Sequence, residues 1–215
     1  MYLPYTQEIC GWSSFPLVIY RRMKGGLIME PLINAKGLEL FWAQPGAMKR
    51  SFILRSGERI FGSLTFRSAF GSLADAISGK DSWTFKRVGF FSPRVTIRRA
   101  GSGIDIANYQ PKWTGTEGSL LFSGGRSYLW RVANFWATRY TFSDSQGNEL
   151  VTYRSGSDEQ KLSNLIKQQA QVEIALQAWQ LPEVDLLVIL GWYLVILQQE
   201  DASAVAVTAS IAVLN

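Results

Sequence analysis

The chain contains no histidine and one cysteine, Cys10, in 215 residues. Without histidine the commonest general base is missing. So are the Ser-His-Asp and Cys-His nucleophile arrangements and the usual zinc and haem ligands. A single thiol forms neither an internal disulfide nor a thiolate metal cluster, which fits a reducing compartment. The opening MYLPYTQEICGW lacks a basic start and carries Glu8 inside a weak apolar stretch, so no secretory signal is read and cytoplasmic residence is expected. No metal or cofactor is expected.

Also missing is an apolar run long enough for a bilayer. The longest, residues 186–197, reads LLVILGWYLVIL. As a helix it spans roughly 18 Å against a hydrocarbon core of about 30 Å. A helix apolar on every side needs either lipid or a shell of protein. A membrane anchor, as a tilted span or a hairpin completed by residues 204–214, is the competing reading. The polar stretch 198–201 (QQED) and the absence of flanking Lys/Arg anchors weigh against it. A helix over about residues 182–198, opened by Pro182, Glu183 and Asp185, is therefore expected to be central to the core. Residues 201–215 read as a weakly held Ala-rich tail of a single domain covering 1–200.

The shell is legible in the punctuation. Turn signals fall at Ser56-Gly57, Ser78-Gly79, residues 101–103, Gly115-Thr116, Gly124-Gly125 and residues 146–148, with aromatic and β-branched residues between them. That spacing predicts antiparallel hairpins. Earlier signals lie at Gly25-Gly26, Pro31, Lys36-Gly37 and Pro45-Gly46, with short strands over 17–21 and 38–43. Residues 158–170 permit a helix, and 171–175 could be another strand.

An internal repeat sits within this region: WTFKRVGFFSPRVTI, residues 83–97, aligns without gaps on YLWRVANFWATRYTF, residues 128–142. Period-2 alternation places Val95, Ile97, Tyr140 and Phe142 inside, with Trp83, Phe85, Tyr128 and Trp130 in the partner strands. It sends Lys86, Arg94, Thr96, Arg98, Arg131, Arg139 and Thr141 outward. The expected fold is mainly β with one helix (α+β): a closed antiparallel β-barrel wrapped around the buried C-terminal helix.

Three segments carry a family resemblance: YTFSDSQGNELVTYR (140–154), LPEVDLLVILGWYLVIL (181–197) and WTFKRVGFFSPRVTIRR (83–99). The chain resembles the tubby C-terminal-like superfamily, which includes the tubby, phospholipid-scramblase-like and LURP-one-related proteins. The last segment is similar to one in small bacterial proteins of this type. The resemblance covers roughly residues 15–200 and implies about twelve strands around the helix. It also implies contact with membrane phospholipid head groups, since tubby proteins bind phosphoinositides. It transfers no binding residue.

Charge supplies the candidates. Residues 21–99 hold 15 Lys/Arg against 5 Asp/Glu, whereas residues 100–215 hold 7 against 11. Such polarity favours anionic surfaces. The first expectation is a non-catalytic, membrane-peripheral module docking on acidic phospholipid through Lys86, Arg94, Arg98 and Arg99, joined by Arg21, Arg22 and Lys24. A structural or partner-binding role is an alternative. A nucleic-acid role is weaker, because alternation puts the aromatics inside. An enzyme is not expected: Gly124-Gly125-Arg126-Ser127 lacks Walker spacing and lysine, and Asp158-Glu159 and Glu200-Asp201 look like solvated ends.

Overall fold

The glycine turns from Ser56-Gly57 to residues 146–148 each mark a reversal between two strands. The computed structural model describes residues 29–46, 49–155 and 167–213, with side chains omitted at 167–169 and 205–213. The expected strand over 17–21, the Gly25-Gly26 turn and Cys10 lie outside the described residues. Twelve strands follow in order: β1 Leu40–Gln44, β2 Ser51–Ser56, β3 Arg59–Phe66, β4 Ala74–Ser78, β5 Asp81–Val88 and β6 Arg94–Arg99. The second half is β7 Asp105–Pro111, β8 Glu117–Phe122, β9 Ser127–Val132, β10 Arg139–Ser143, β11 Glu149–Ser155 and β12 Lys167–Ile174. Each pairs antiparallel with its sequence neighbour, and β1 pairs with β12, so the barrel closes without an edge. The helix α1, Val184–Val213, follows last.

Closure corrects one expectation. Residues 167–170, read as possible helix, belong to β12, where Ala170 and Val172 are buried and face Trp42 and Leu40 of β1. Tertiary pairing on both sides overrides the local helical spacing; residues 158–166 lie outside the described residues. The helix also continues past 198, to Val213.

The whole run Leu186–Leu197 is buried, and α1 packs against β3, β4, β10 and β11 inside the barrel. Enclosing its eleven large side chains contributes on the order of 16–33 kcal/mol before ordering entropy is subtracted. Trp192 stacks on Trp42 at 5.8 Å between centroids and meets Phe52 edge-on at 5.7 Å. Tyr193 lies between Phe66 and Phe85. The lumen is filled by side chains.

The repeat forms two hairpins, β5–β6 and β9–β10. All eight residues assigned inward are buried: Trp83, Phe85, Val95, Ile97, Tyr128, Trp130, Tyr140 and Phe142. Thr96 and Thr141, expected outside with their neighbouring cations, are buried too. The alternation gives the face of the sheet but not what covers it. Thr141 stands opposite Arg131 and Thr152 in register, and Arg131 and Arg139 both pair with Glu149 on this face. The Thr141 hydroxyl donates to the carbonyl of Val151, 3.2 Å away.

Candidate functional site

Consecutive antiparallel strands turn at alternate ends of the barrel, so the connections sort into two sets. At the helix-start end lie the β2–β3, β4–β5, β6–β7, β8–β9 and β10–β11 turns. At the helix-exit end lie the β1–β2, β3–β4, β5–β6, β7–β8 and β9–β10 connections, and there β11 ends and β12 begins. The two ends differ in chemistry.

At the helix-start end, Glu183 is buried, paired with Arg126 and accepting a hydrogen bond from the Tyr128 hydroxyl at 3.1 Å. Burial, then the Glu183 charge, pushes the Tyr128 phenol up to about 12. The single Ser78 hydroxyl proton is shared between Asp185, 2.8 Å away, and the carbonyl of Phe61, 3.0 Å away. Burial raises the Asp185 carboxyl above its ordinary value, and the Ser78 hydrogen bond opposes that shift. The surrounding turns carry Glu58, Asp81, Asp105 and Asp144. Gly124-Gly125-Arg126-Ser127 is the β8–β9 reversal: the Gly125 amide donates to the carbonyl of Phe122 at 2.9 Å, and Gly125 has φ 85°.

At the helix-exit end, the helix leaves through a collar of polar bonds. Arg50 pairs with Glu200 while its guanidinium donates to the carbonyls of Ser68, Ala69 and Gly71 and lies 3.8 Å over the Phe66 ring. Arg87 grips Asp201 with bonds of 2.7 and 2.9 Å. Tyr193 donates to the carbonyl of Ser72 at 2.7 Å, and Gln198 donates to that of Gly115 at 2.8 Å. The expected solvated pair Glu200-Asp201 is thus engaged with the barrel rim. Asp158-Glu159 lies outside the described residues. Among the described residues, no cluster of three or more carboxylates or thiols could hold a metal ion.

The structure divides the cations chosen from the sequence. Arg98 pairs with Asp105 and Arg99 with Asp81 at 2.8 Å, both toward the helix-start end. Lys86 and Arg94 are exposed near the helix-exit end, on either side of the β5–β6 turn, and make no ion pair among the described residues. Arg21, Arg22 and Lys24 lie outside the described residues. The carboxylates described at the helix-exit end are all matched: Asp75 with Arg67, Glu117 with Lys112, Glu200 with Arg50, Asp201 with Arg87. Among the described residues the rim thus carries positive charge beyond what these ion pairs neutralise.

The reading from sequence did not single out the aromatic side chains of this same end. Phe70, Phe90, Phe91, Trp113, Phe135 and Trp136 are each between 79 and 103% exposed. They occupy four connections that all open at the helix-exit end: β3–β4, β5–β6, β7–β8 and β9–β10. A signal for four of them was present in the repeat. Phe90-Phe91 and Phe135-Trp136 are adjacent aromatic pairs, and neighbouring residues of a strand point to opposite faces. Both members of such a pair cannot enter one core.

Among the described residues, no helix is long and apolar enough to cross a membrane. No protein-family model, curated protein or solved structure matches the chain, so its description stands on its own sequence and geometry: a closed twelve-stranded barrel filled by its C-terminal helix.

Proposed function

We propose that this chain is a non-catalytic, tubby-like barrel module that docks peripherally on acidic phospholipid. One observation carries the reading. At the helix-exit rim every described carboxylate is neutralised by an ion pair, whereas Lys86 and Arg94 are exposed without one. Such cations suit phosphate oxygens, and each contributes about 1 kcal/mol near an anionic leaflet. The resemblance to tubby-like proteins leads to the same ligand chemistry. Arg98 and Arg99 belong less to this surface, since each already holds a carboxylate.

Co-sedimentation with phosphatidylcholine vesicles, with and without phosphatidylserine or a phosphoinositide, tests the proposal. Binding is expected only to the anionic vesicles, falling as salt rises from about 0.1 to 0.5 M because exposed charges are screened. Equal pelleting with neutral and anionic vesicles, or indifference to salt, would remove the charge-based reading.

A further inference from the structure

We propose that Phe70, Phe90, Phe91, Trp113, Phe135 and Trp136 form a crown that sinks into the interfacial layer of a phospholipid bilayer. The helix-exit end of the barrel then faces the lipid. This deepens the docking reading above and rests on it, adding an apolar anchor and an orientation that charge alone does not specify.

The first argument is exposure. Among the described residues the other large aromatics are buried or partly buried, Trp42, Trp130, Trp192, Phe61 and Phe85 fully so, yet these six stand almost fully in water. Side chains so exposed do little for the fold, and burying each elsewhere would contribute about 1.5–3 kcal/mol. The pairs touch only edge-on within themselves, Phe90 with Phe91 at 5.1 Å and Phe135 with Trp136 at 5.3 Å.

The second argument is presentation. The supporting loops are bonded turns, and three of the four are held from below by the helix. Arg50 and Tyr193 fasten the carbonyls of the loop bearing Phe70, and Gln198 fastens the loop bearing Trp113. Arg87 and Asp201 lock the base of the Phe90-Phe91 loop. That loop turns at Gly89, φ 86°, where an added Cβ would lie 2.6 Å from the carbonyl oxygen of Ser92. In the Phe135-Trp136 loop, Asn134 accepts from the amides of Thr138 and Arg139 at 2.9 and 3.0 Å. Ala137 there adopts φ 51°, a left-handed conformation that costs a residue with a side chain roughly 1–2 kcal/mol. Strain is accepted in a loop whose tip offers two bare aromatic rings. The duplicated hairpin carries this pair in both copies.

The third argument selects the occupant. The six rings stand on four separate loop tips, so a protein partner would need a matching set of separate pockets. A bilayer interface is a fluid medium into which separated tips can sink, and Trp and other amphipathic aromatics favour that depth. Lys86 and Arg94 flank the Phe90-Phe91 tip, where head-group phosphates would lie. Beyond the collar α1 continues to Val213, and its sequence over 205–213, VAVTASIAV, has no charge. The described hairpin turns of the opposite end have no aromatic residue, and beside Lys80, Arg126 and the exposed Ile104 they carry Glu58 and Asp144. The exposed aromatic rings thus gather at one end of the barrel, together with Lys86 and Arg94.

The test uses the full chain and three variants: F90S/F91S/F135S/W136S, K86Q/R94Q, and W113F/W136F. Vesicles of phosphatidylcholine with phosphatidylserine, and of phosphatidylcholine alone, serve as probes, with and without bromine-labelled acyl chains. The aromatic variant is expected to keep the parent thermal midpoint and to lose at least about tenfold in vesicle affinity at high salt. Bromolipid is expected to quench parent tryptophan emission, and W113F/W136F to abolish that quenching. Unchanged vesicle affinity in the aromatic variant overturns the crown. Absence of bromolipid quenching in the parent overturns it without reference to any variant. Salt-sensitive anionic binding without aromatic dependence leaves charge docking standing and removes insertion. Aromatic-dependent binding indifferent to lipid charge does the reverse. Aromatic-dependent capture of single-stranded oligonucleotide, with no vesicle binding, rejects both.

Discussion

Tyr153 of β11 lies flat against the backbone of α1 at Gly191. A Cβ at Gly191 would fall 2.3 Å from the Tyr153 hydroxyl oxygen, whose single proton is shared between the carbonyls of Leu187 and Val188 at 2.8 and 3.0 Å. Glycine weakens a helix interior, by about 1 kcal/mol against alanine. Here the missing side chain is what lets barrel and helix touch through a hydrogen bond in the dry core. Burial holds the Tyr153 phenol well above its ordinary pKa, so it stays a donor.

Gly191→Ala is accordingly expected to destabilise the protein although alanine is the better helix former. Overpacking of about 1–3 kcal/mol against a rigid ring outweighs the propensity gain. Tyr153→Phe removes only the hydroxyl and is expected to lose about 1 kcal/mol. Urea unfolding of both variants measures the order. A Gly191→Ala chain as stable as the parent would show that Tyr153 moves aside freely.

Asp185 gives a pH-dependent prediction. Its folded pKa lies above the ordinary 3.8, chiefly because burial disfavours the charged form. The unfolded chain therefore binds fewer protons at this site than the native one. The stability it contributes is present below 3.8 and is lost as pH rises through the raised folded value. Asp185→Asn should thus become more stable relative to the parent as pH increases from about 3 to 7, read as the difference of thermal midpoints. A difference that is flat or falls with pH contradicts the burial argument.

Arg50 and Glu200 should be unequal partners. Glu200→Gln removes one half-exposed ion pair, for a loss under about 1 kcal/mol. Arg50→Met also strips the loop carbonyls of Ser68, Ala69 and Gly71 of their donor and is expected to lose about 1–3 kcal/mol. Hydrogen exchange should then quicken in residues 67–73 for Arg50→Met alone.

The two pairs of cations on β5 and β6 should separate in vesicle binding. Neutralising Lys86 and Arg94 together is expected to weaken binding to phosphatidylserine vesicles roughly tenfold to thirtyfold. Neutralising Arg98 and Arg99 should change it little, because each already faces a carboxylate. Equal losses from both pairs would point to diffuse attraction by overall charge.

Local signals in the chain encode the architecture well. Alternation sorted the repeat residues between the two faces, and the unbroken apolar run marked the central helix, because burial on all sides leaves no polar stripe. Strand β12 was obscured because its pairing with β1 and β11 is tertiary, and its Gln-rich sequence, KQQAQVEI, has weak strand character. Which cations are free could not be read locally either: Arg50 meets Glu200, and Arg87 meets Asp201, across more than a hundred residues. The aromatic rim needed the alternating ends of a closed meander before separate loops could be seen to share one pole.

The element at the centre of the barrel is the last one in the sequence. During synthesis all twelve strands leave the ribosome before the rod that fills them, so the sheet cannot wrap its core until residues up to Leu197 have emerged. Closure also requires β1 to meet β12, a pairing of high contact order and hence slow. Until the helix emerges, a growing chain of this design leaves the inner faces of its strands without their core, and exposed apolar strands of that kind are prone to associate.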